Sequence, residues 1–333
     1  MGSIEDYNYY LPREMIAQYI EPKDKHKLLV YDLKTKKINH EMFKDIGKYM
    51  KKGDVIVVNK TKVYKAKIPA KKDTGGKVTI LLTKKINENE WECIIEGKTK
   101  LGDKIIFPGN EAVLIERKPE IYKFVLKFKK SFNHDEIEKI GETPLPPYIK
   151  KESPLQDYQT VFAEDVGSVA APTAGFHFSE ELVEKLKKKG VKFAYVCLHV
   201  GLGTFAEVKE KNYKNHDIHS EEFYLDKENA DVINNAEGIF VVGTTTMRVL
   251  ETLADENSKI KPGRGITKIY IYPGYNYKIK FKAFITNFHL PKTTLLLMVS
   301  ALMGKEELFR TYKEAIGKNY RFYSFGDAMM IKT

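Results

Sequence analysis

Between residues 62 and 130 the sequence changes texture, and that change constrains the fold more than any other feature. Short runs of alternating apolar and polar residues dominate, at 78–82, 91–96, 104–107, 113–116 and 122–128. Turns at Gly75-Gly76, Gly97, Gly102-Asp103 and Pro108-Gly109-Asn110 separate them. Period-two alternation with tight, closely spaced turns predicts a small antiparallel barrel. The prolines at 144, 146 and 147 mark its end, because proline neither donates to a ladder nor continues a helix.

The flanks read differently. Leu28-Leu29-Val30-Tyr31 is an apolar run, residues 41–50 have helical spacing, and Gly53-Asp54 turns into Val55-Ile56-Val57-Val58-Asn59. After Gln159 helices are expected at 180–189, 244–254 and 293–303, and strands at 193–200, 239–242, 269–272 and 283–286. Strands that are apolar throughout, alternating with helices, belong to a sheet covered on both faces. The expected class is α/β: a large mixed domain from residues 1–61 and 152–333, with a small antiparallel β-barrel inserted as residues 62–151. A chain of 333 residues also exceeds the size at which one core stops growing.

Composition narrows the function. Fifty-six basic residues against 45 acidic ones leave a formal charge of +11, which suits a polyanionic partner such as RNA. Only six of the basic residues are arginine, so a lysine-rich background gives the same excess. The two cysteines, Cys93 and Cys197, form no C-x-x-C pair; both are expected as buried core thiols rather than zinc ligands or a disulfide. No apolar run approaches the ~20 residues that span a bilayer, and no leader-like stretch opens the chain. The cytoplasm is the expected compartment.

Five polar stretches follow or precede apolar runs. In Gly243-Thr244-Thr245-Thr246-Met247-Arg248, free amides at a helix start, threonine hydroxyls and a guanidinium could hold a phosphate or carboxylate; a threonine N-cap with a surface arginine is the plainer alternative. In Leu198-His199-Val200-Gly201-Leu202-Gly203-Thr204-Phe205 a strand delivers a histidine beside two glycines that allow close backbone approach. Gly201, Gly203 and Ala206 imitate a dinucleotide fingerprint, but Val208-Lys209-Glu210-Lys211 offers no helix face to follow it. His216-Asp217-Ile218-His219-Ser220-Glu221 could serve acid/base chemistry, whereas a metal site there lacks an evident remote ligand; no metal is expected. Residues 167–178, containing Thr173 and His177, are rich in small residues. Thr286-Asn287-Phe288-His289 places an amide and an imidazole at a strand end.

Taken together these stretches resemble the signature blocks of the S-adenosylmethionine:tRNA ribosyltransferase-isomerase family, in order and nearly end to end. Asp6-Tyr7, Leu11-Pro12 and Ile16-Ala17-Gln18 resemble its opening, and Gly53-Asp54 with Asn59 and Thr61 its second block. Pro144-Leu145-Pro146-Pro147-Tyr148-Ile149, Tyr158-Gln159-Thr160-Val161-Phe162-Ala163 and the five stretches above follow, with Tyr272-Pro273-Gly274-Tyr275 and residues 321–329 closing the series. The resemblance implies an α/β domain with an inserted barrel. It implies ribosyl transfer from S-adenosylmethionine, a co-substrate rather than a permanently bound cofactor, to the aminomethyl-deazaguanine at the wobble position of the tRNA anticodon loop. Epoxyqueuosine-tRNA, adenine and methionine would be the products. Departures lie in the N-terminal half: Lys23, Lys27, Lys62 and Lys67 stand where the family usually has arginine, His26 where serine is usual, and Lys60 and Thr79 where acidic residues are usual.

Residue chemistry then nominates roles. His199, His219 and His289 are acid/base candidates because imidazoles exchange protons near neutral pH, with His177 as a pocket-lining alternative. Glu221 could orient a histidine or hold ribose hydroxyls. Arg248 with Thr244 and Thr245 could hold a carboxylate or phosphate, and Thr173, Gly201, Gly203 and Asn287 could line the substrate pocket. Lys62, Lys65, Lys67, Lys71 and Lys72 form a basic stretch toward tRNA phosphates, or a solvated strand face. A methyltransferase would need a glycine-rich loop after an early strand, where Leu28 to Asp32 is followed by lysines; a non-catalytic tRNA-binding protein leaves the histidine-bearing loops unused. Oligomeric state is not legible in the sequence.

Overall fold

The computed structural model describes residues 2–118, 123–146, 148–151, 154–201 and 207–333. In chain order the strands are β1 (Lys27–Asp32), β2 (Ile38–Met42), β3 (Asp54–Asn59), β4 (Thr61–Val63), β5 (Lys67–Lys72), β6 (Lys77–Lys85), β7 (Glu90–Glu96), β8 (Lys104–Phe107), β9 (Asn110–Lys118), β10 (Lys123–Phe128), β11 (Asp165–Ser168), β12 (Lys192–Leu198), β13 (Glu221–Leu225), β14 (Gly238–Val242), β15 (Gly263–Thr267), β16 (Ala283–Asn287) and β17 (Ala328–Lys332). The helices are α1 (His134–Ile140), α2 (Glu180–Lys188), α3 (Lys227–Asn234), α4 (Thr244–Leu253), α5 (Thr294–Met303) and α6 (Lys305–Gly317).

Strands β5 to β10 close into an antiparallel barrel in the order β10-β7-β6-β5-β8-β9. Alternate residues of each strand point inward, so Ile68, Ile80, Leu82, Trp91, Cys93, Leu126 and Phe128 form its core. The remaining long strands make one mixed sheet, β15-β13-β12-β3-β14-β16-β17-β1-β2. At its centre β12, β3, β14 and β16 run parallel. The central strand β3 is buried along its whole length, as its Val-Ile-Val-Val run requires when both faces are covered. Val55 and Val57 pack on one face with residues of α4, α5 and α6; Ile56 and Val58 pack on the other with α2. The chain leaves for the barrel along β4 and returns along β11, and these two segments pair in parallel.

The α/β class with a barrel holds. Three local expectations do not. Residues 43–49 form a 3-10 segment after β2 rather than an α-helix, and Gly47 within it is a poor helix former. Residues 269–272 are not a strand; the pairing lies at β15, two residues earlier, and was hidden by Gly263 and Gly265. The N-cap of α4 is Gly243, at φ +87, and not a threonine. Both cysteines are buried free thiols.

One buried side chain ties the sheet's functional edge together. Asn59, at the end of β3, donates to the Leu198 carbonyl at 3.0 Å and to Thr245 Oγ1 at 3.2 Å. Its Oδ1 accepts from the amides of Leu198 and Thr61, both at 3.1 Å. Asn59→Ala strands several buried main-chain groups and should lower unfolding free energy by about 3 kcal/mol, read as a shifted urea midpoint at unchanged slope.

Candidate active site

Because β3, β12, β14 and β16 are parallel neighbours, Asn59, Leu198, Val242 and Asn287 end along one edge. β13 and β17 run antiparallel beside this group, so Glu221 and Ala328, which begin them, arrive at the same edge. Ligands of open α/β sheets bind at this carboxyl edge.

A narrow cleft opens there, lined by Thr173, Ala174, Val200, Gly243, Thr244, Thr245, Asn287, His289, Leu295, Tyr323 and Ser324 among others. The first turn of α4 enters it without a side-chain cap, so free N–H groups and the helix dipole favour a ligand carboxylate or phosphate. Asn287 is 3% exposed; its Nδ2 donates to the Tyr323 carbonyl at 3.0 Å and approaches the Ser324 carbonyl at 3.5 Å. Two carbonyls on that side fix the amide's orientation. Tyr323 adopts φ +74, an uncommon conformation for a bulky residue; its amide donates to the Phe288 carbonyl at 3.0 Å. His289 Nε2 lies 2.9 Å from Thr286 Oγ1, and burial pulls its imidazole down to about 3. It is therefore a neutral hydrogen-bonding group at physiological pH.

A second narrow cleft lies beside the first, and Leu295 lines both. His219, Glu221, Arg248, Tyr270, Ile271 and Met298 line it as well. Arg248 donates to Glu221 through Nη1, with both side chains about 5% exposed or less. It also reaches the Ile269 carbonyl at 3.3 Å, while Glu221 Oε1 accepts from the Gly201 amide at 2.9 Å. This guanidinium is already neutralised inside the protein, which weakens it as an anion anchor. His219 stands at the exposed rim; partial burial lowers its pKa, Lys123 and His216 add to this, and Glu221 and Asp217 oppose it. Among the described residues the buried Tyr270 hydroxyl has no hydrogen-bond partner, and burial pushes its pKa up.

Three candidate sets lie apart from the clefts. His199 lines neither. Just past the end of β12 its side chain turns to the face opposite Leu198, where Nδ1 meets Thr61 Oγ1 at 2.9 Å and a Cβ on Gly167 would come within 2.6 Å of the ring. His177 is buried against His26, Nδ1 to Nδ1 at 2.9 Å. In the basic stretch Lys67 faces Glu142 at 4.0 Å and Lys72 faces Asp103 at 3.5 Å, the Lys65 side chain is half-buried, and Lys62 and Lys71 are exposed. Gly203 lies outside the described residues. His216 pairs with Glu210 at 2.8 Å, and among the described residues no three histidine, cysteine or acidic side chains gather as a metal site. Sequence reading missed Tyr323, Ser324 and Tyr270 as lining residues; the polar, aromatic character of residues 320–325 was the available signal.

The fold and the edge define an α/β protein with an inserted barrel, whose two clefts share Leu295 at the carboxyl edge of the sheet. The chain belongs to the family described as queuosine biosynthesis protein, whose model matches residues 4–331. It is 46% identical over 337 residues to the S-adenosylmethionine:tRNA ribosyltransferase-isomerase of Thermoanaerobacter sp. (strain X514), covering 98% of each chain. Its identity to the Acetivibrio thermocellus protein of the same name is 47% over 341 residues, covering 99% of each. Among solved structures it resembles the S-adenosylmethionine tRNA ribosyltransferase of Thermotoga maritima, with a TM-score of 0.55 and 34% identity, over 98% of this chain and 99% of that one.

The buried groups set two measurable behaviours. Arg248→Met leaves a carboxylate stranded and should cost about 3–5 kcal/mol, much of it regained in the double variant Glu221→Leu/Arg248→Met; denaturant titration of the three proteins reads both. Burial also holds His26 down to about 4 and His289 to about 3, and lowers His177 well below its ordinary value, with His26 and Lys23 adding to the effect. The unfolded chain protonates these rings near pH 6.5 and so binds more protons below it. Stability should be level above about pH 7 and fall from about 6.5 toward 4, by about 1.4 kcal/mol per pH unit for each ring. His289→Gln should flatten that slope by one ring's share, measured from urea midpoints across the window.

Proposed function

We propose that the chain transfers and isomerises the ribosyl moiety of S-adenosylmethionine onto the aminomethyl-deazaguanine at the wobble position of tRNA, releasing adenine and methionine and leaving epoxyqueuosine-tRNA. Family membership and the activity in the relatives' names support the reading. The observation in the structure that carries it is the pair of clefts that share Leu295, one bounded by the uncapped start of α4 and the other with a titratable histidine at its rim.

In this reading the first cleft holds the methionine portion, its carboxylate on the free amides of Thr244 and Thr245 at the start of α4. Thr173 and Asn287 complete the wall. The second cleft takes the adenine against Leu295 and Met298. Removal of a proton from the ribose carbon beside the sulfonium, departure of adenine with a proton, attack by the free aminomethyl nitrogen and loss of methionine as a thioether make up the chemistry. His219 is the side chain placed to exchange protons near neutrality. His289, held neutral, positions ligand through hydrogen bonding, and the Glu221–Arg248 pair shapes the boundary near Gly201. His199 and His177 stand behind the walls.

The division into residues 1–61 with 152–333 and an inserted 62–151 is part of the proposal, with tRNA approaching by its anticodon loop across the barrel side. Of the basic stretch, Lys62 and Lys71 are the side chains left exposed for phosphate. Among the described residues no helix is long and apolar enough to cross a membrane, and the cytoplasm is the compartment the reading assigns.

S-adenosylmethionine labelled separately in its adenine and its methyl group tests the assignment against tRNA bearing the aminomethyl base. Adenine release supports it; methyl transfer to RNA would make the chain a methyltransferase, and binding without turnover a non-catalytic tRNA-binding protein. His219→Ala should lower turnover by about 10²-fold or more at little-changed S-adenosylmethionine affinity, whereas His199→Ala should stay within about threefold. Lys62→Gln/Lys71→Gln should weaken tRNA binding and shallow its salt dependence.

A further inference from the structure

Beside the first cleft three separate stretches of chain meet in a surface that the proposed chemistry does not use. Phe322 exchanges main-chain bonds with the N-terminal stretch, its amide donating to the Met15 carbonyl at 2.7 Å and its carbonyl accepting from Ala17 at 3.2 Å. Gln18 bridges to the stretch that returns from the barrel: its Nε2 donates to the Tyr148 carbonyl and its Oε1 accepts from the Lys150 amide, both at 3.0 Å. Ala17, Ile149 and Phe325 belong to one buried apolar cluster at this junction. Tyr148 ties the surface to the cleft. Its hydroxyl is bonded to Ser324 Oγ and its ring centroid lies 4.1 Å from that of Tyr323, and both partners line the cleft.

This surface presents Tyr19, which is 53% exposed. The Arg321 guanidinium lies over its ring at 4.8 Å and is anchored, donating to the Tyr19 carbonyl and standing 3.6 Å from Glu21. The Lys151 ammonium lies over the ring at 5.2 Å. Lys150 and Lys151 are exposed, and among the described residues neither has an acidic partner. The two cations on the ring are therefore unlike. Arg321 is fixed and partly neutralised, so it supports the tyrosine. Lys151 is held by the ring alone, a weak attachment at an exposed position. A flat aromatic ligand can displace it and leave the ammonium free for a neighbouring anion. That combination suits an unpaired nucleotide, whose base stacks while its phosphate takes the ammonium. An acidic peptide would satisfy the lysines and leave the ring unused.

We propose that Tyr19 is a stacking platform for an unpaired RNA base next to the nucleotide held in the clefts, with Lys150 and Lys151 taking the adjoining phosphate. That this RNA is a tRNA anticodon loop rests on the function proposed above; the preference for an unpaired base does not.

Fluorescence anisotropy with two labelled RNAs tests it: an anticodon stem-loop, and the same stem with abasic loop positions that keep the phosphates and remove the bases. The stem-loop should bind Tyr19→Ala about tenfold more weakly than the parent, at unchanged salt slope, with Tyr19→Phe close to the parent. Lys150→Gln/Lys151→Gln should shallow the slope. The abasic loop should bind the parent and Tyr19→Ala equally. A fluorescent purine analogue beside the wobble position should be quenched by the parent and by Tyr19→Phe but not by Tyr19→Ala. Equal stem-loop affinity in the parent and Tyr19→Ala overturns the proposal, as does an equal loss at Tyr19→Phe or a loss that persists with the abasic loop. Adenine release from S-adenosylmethionine, with RNA affinity indifferent to Tyr19, removes the platform and keeps the proposed function. RNA affinity that depends on the Tyr19 ring, without adenine release, does the reverse.

Discussion

Where neighbouring strands splay apart at the end of a sheet, main-chain groups lose their partners, and something must replace them. Here the Asn59 carboxamide does so. It stands in for the next rung of the ladder between β3 and β12, and it reaches the first turn of α4 as well. Both clefts lie along the edge held open in this way. The barrel's departure along β4 begins at Thr61, whose amide is bound by the same side chain. The geometry of the edge therefore depends on one residue that touches neither the cleft's apolar wall nor solvent.

Charge at the edge is distributed in an unobvious manner. The one guanidinium in the second cleft is balanced by Glu221, and the pair is out of water. Such pairs contribute little net stability but are costly to break, so this one acts mainly as a rigid brace between α4, β13 and the Gly201 backbone. Positive potential at this edge then comes from oriented peptide groups at the start of α4, which need no counter-ion and do not titrate. Histidines buried in the surrounding walls are held below their ordinary range, whereas His219 stands at the exposed rim.

Much of this architecture was legible because apolar runs and glycine turns report periodicity directly. The barrel and the parallel strands follow from such runs. Residues 269–272 misled because alternation alone cannot tell a paired strand from a segment that lays Tyr270 and Ile271 against a cleft. That segment runs into residues 275–279, which are held by Glu251, accepting from Tyr275 and from the amides of Lys278 and Ile279; a contact across more than twenty residues leaves no local trace. The polar strand-end loops were recognisable as a group, since Thr173, Thr244, Thr245, Asn287 and His289 do meet. The displacement of His199 was also readable in principle: continuing the alternation of β12 by one residue puts it on the face of Cys197, opposite Leu198. What the sequence hid was pairing at a distance, Glu221 with Arg248 and His26 with His177, which only the packed sheet brings about.

The place of the barrel within the chain has a consequence for synthesis on the ribosome. Every barrel strand has emerged by residue 128, so that unit can close early from nearby segments. β3 precedes it, yet neither of its neighbours, β12 and β14, exists before residues 192 and 238. From residue 58 to residue 192 of translation the apolar strand Val55-Ile56-Val57-Val58 has no native partner to cover it. A nascent chain of this design relies on shielding by a holding factor, or on fast elongation, more than its finished stability would suggest.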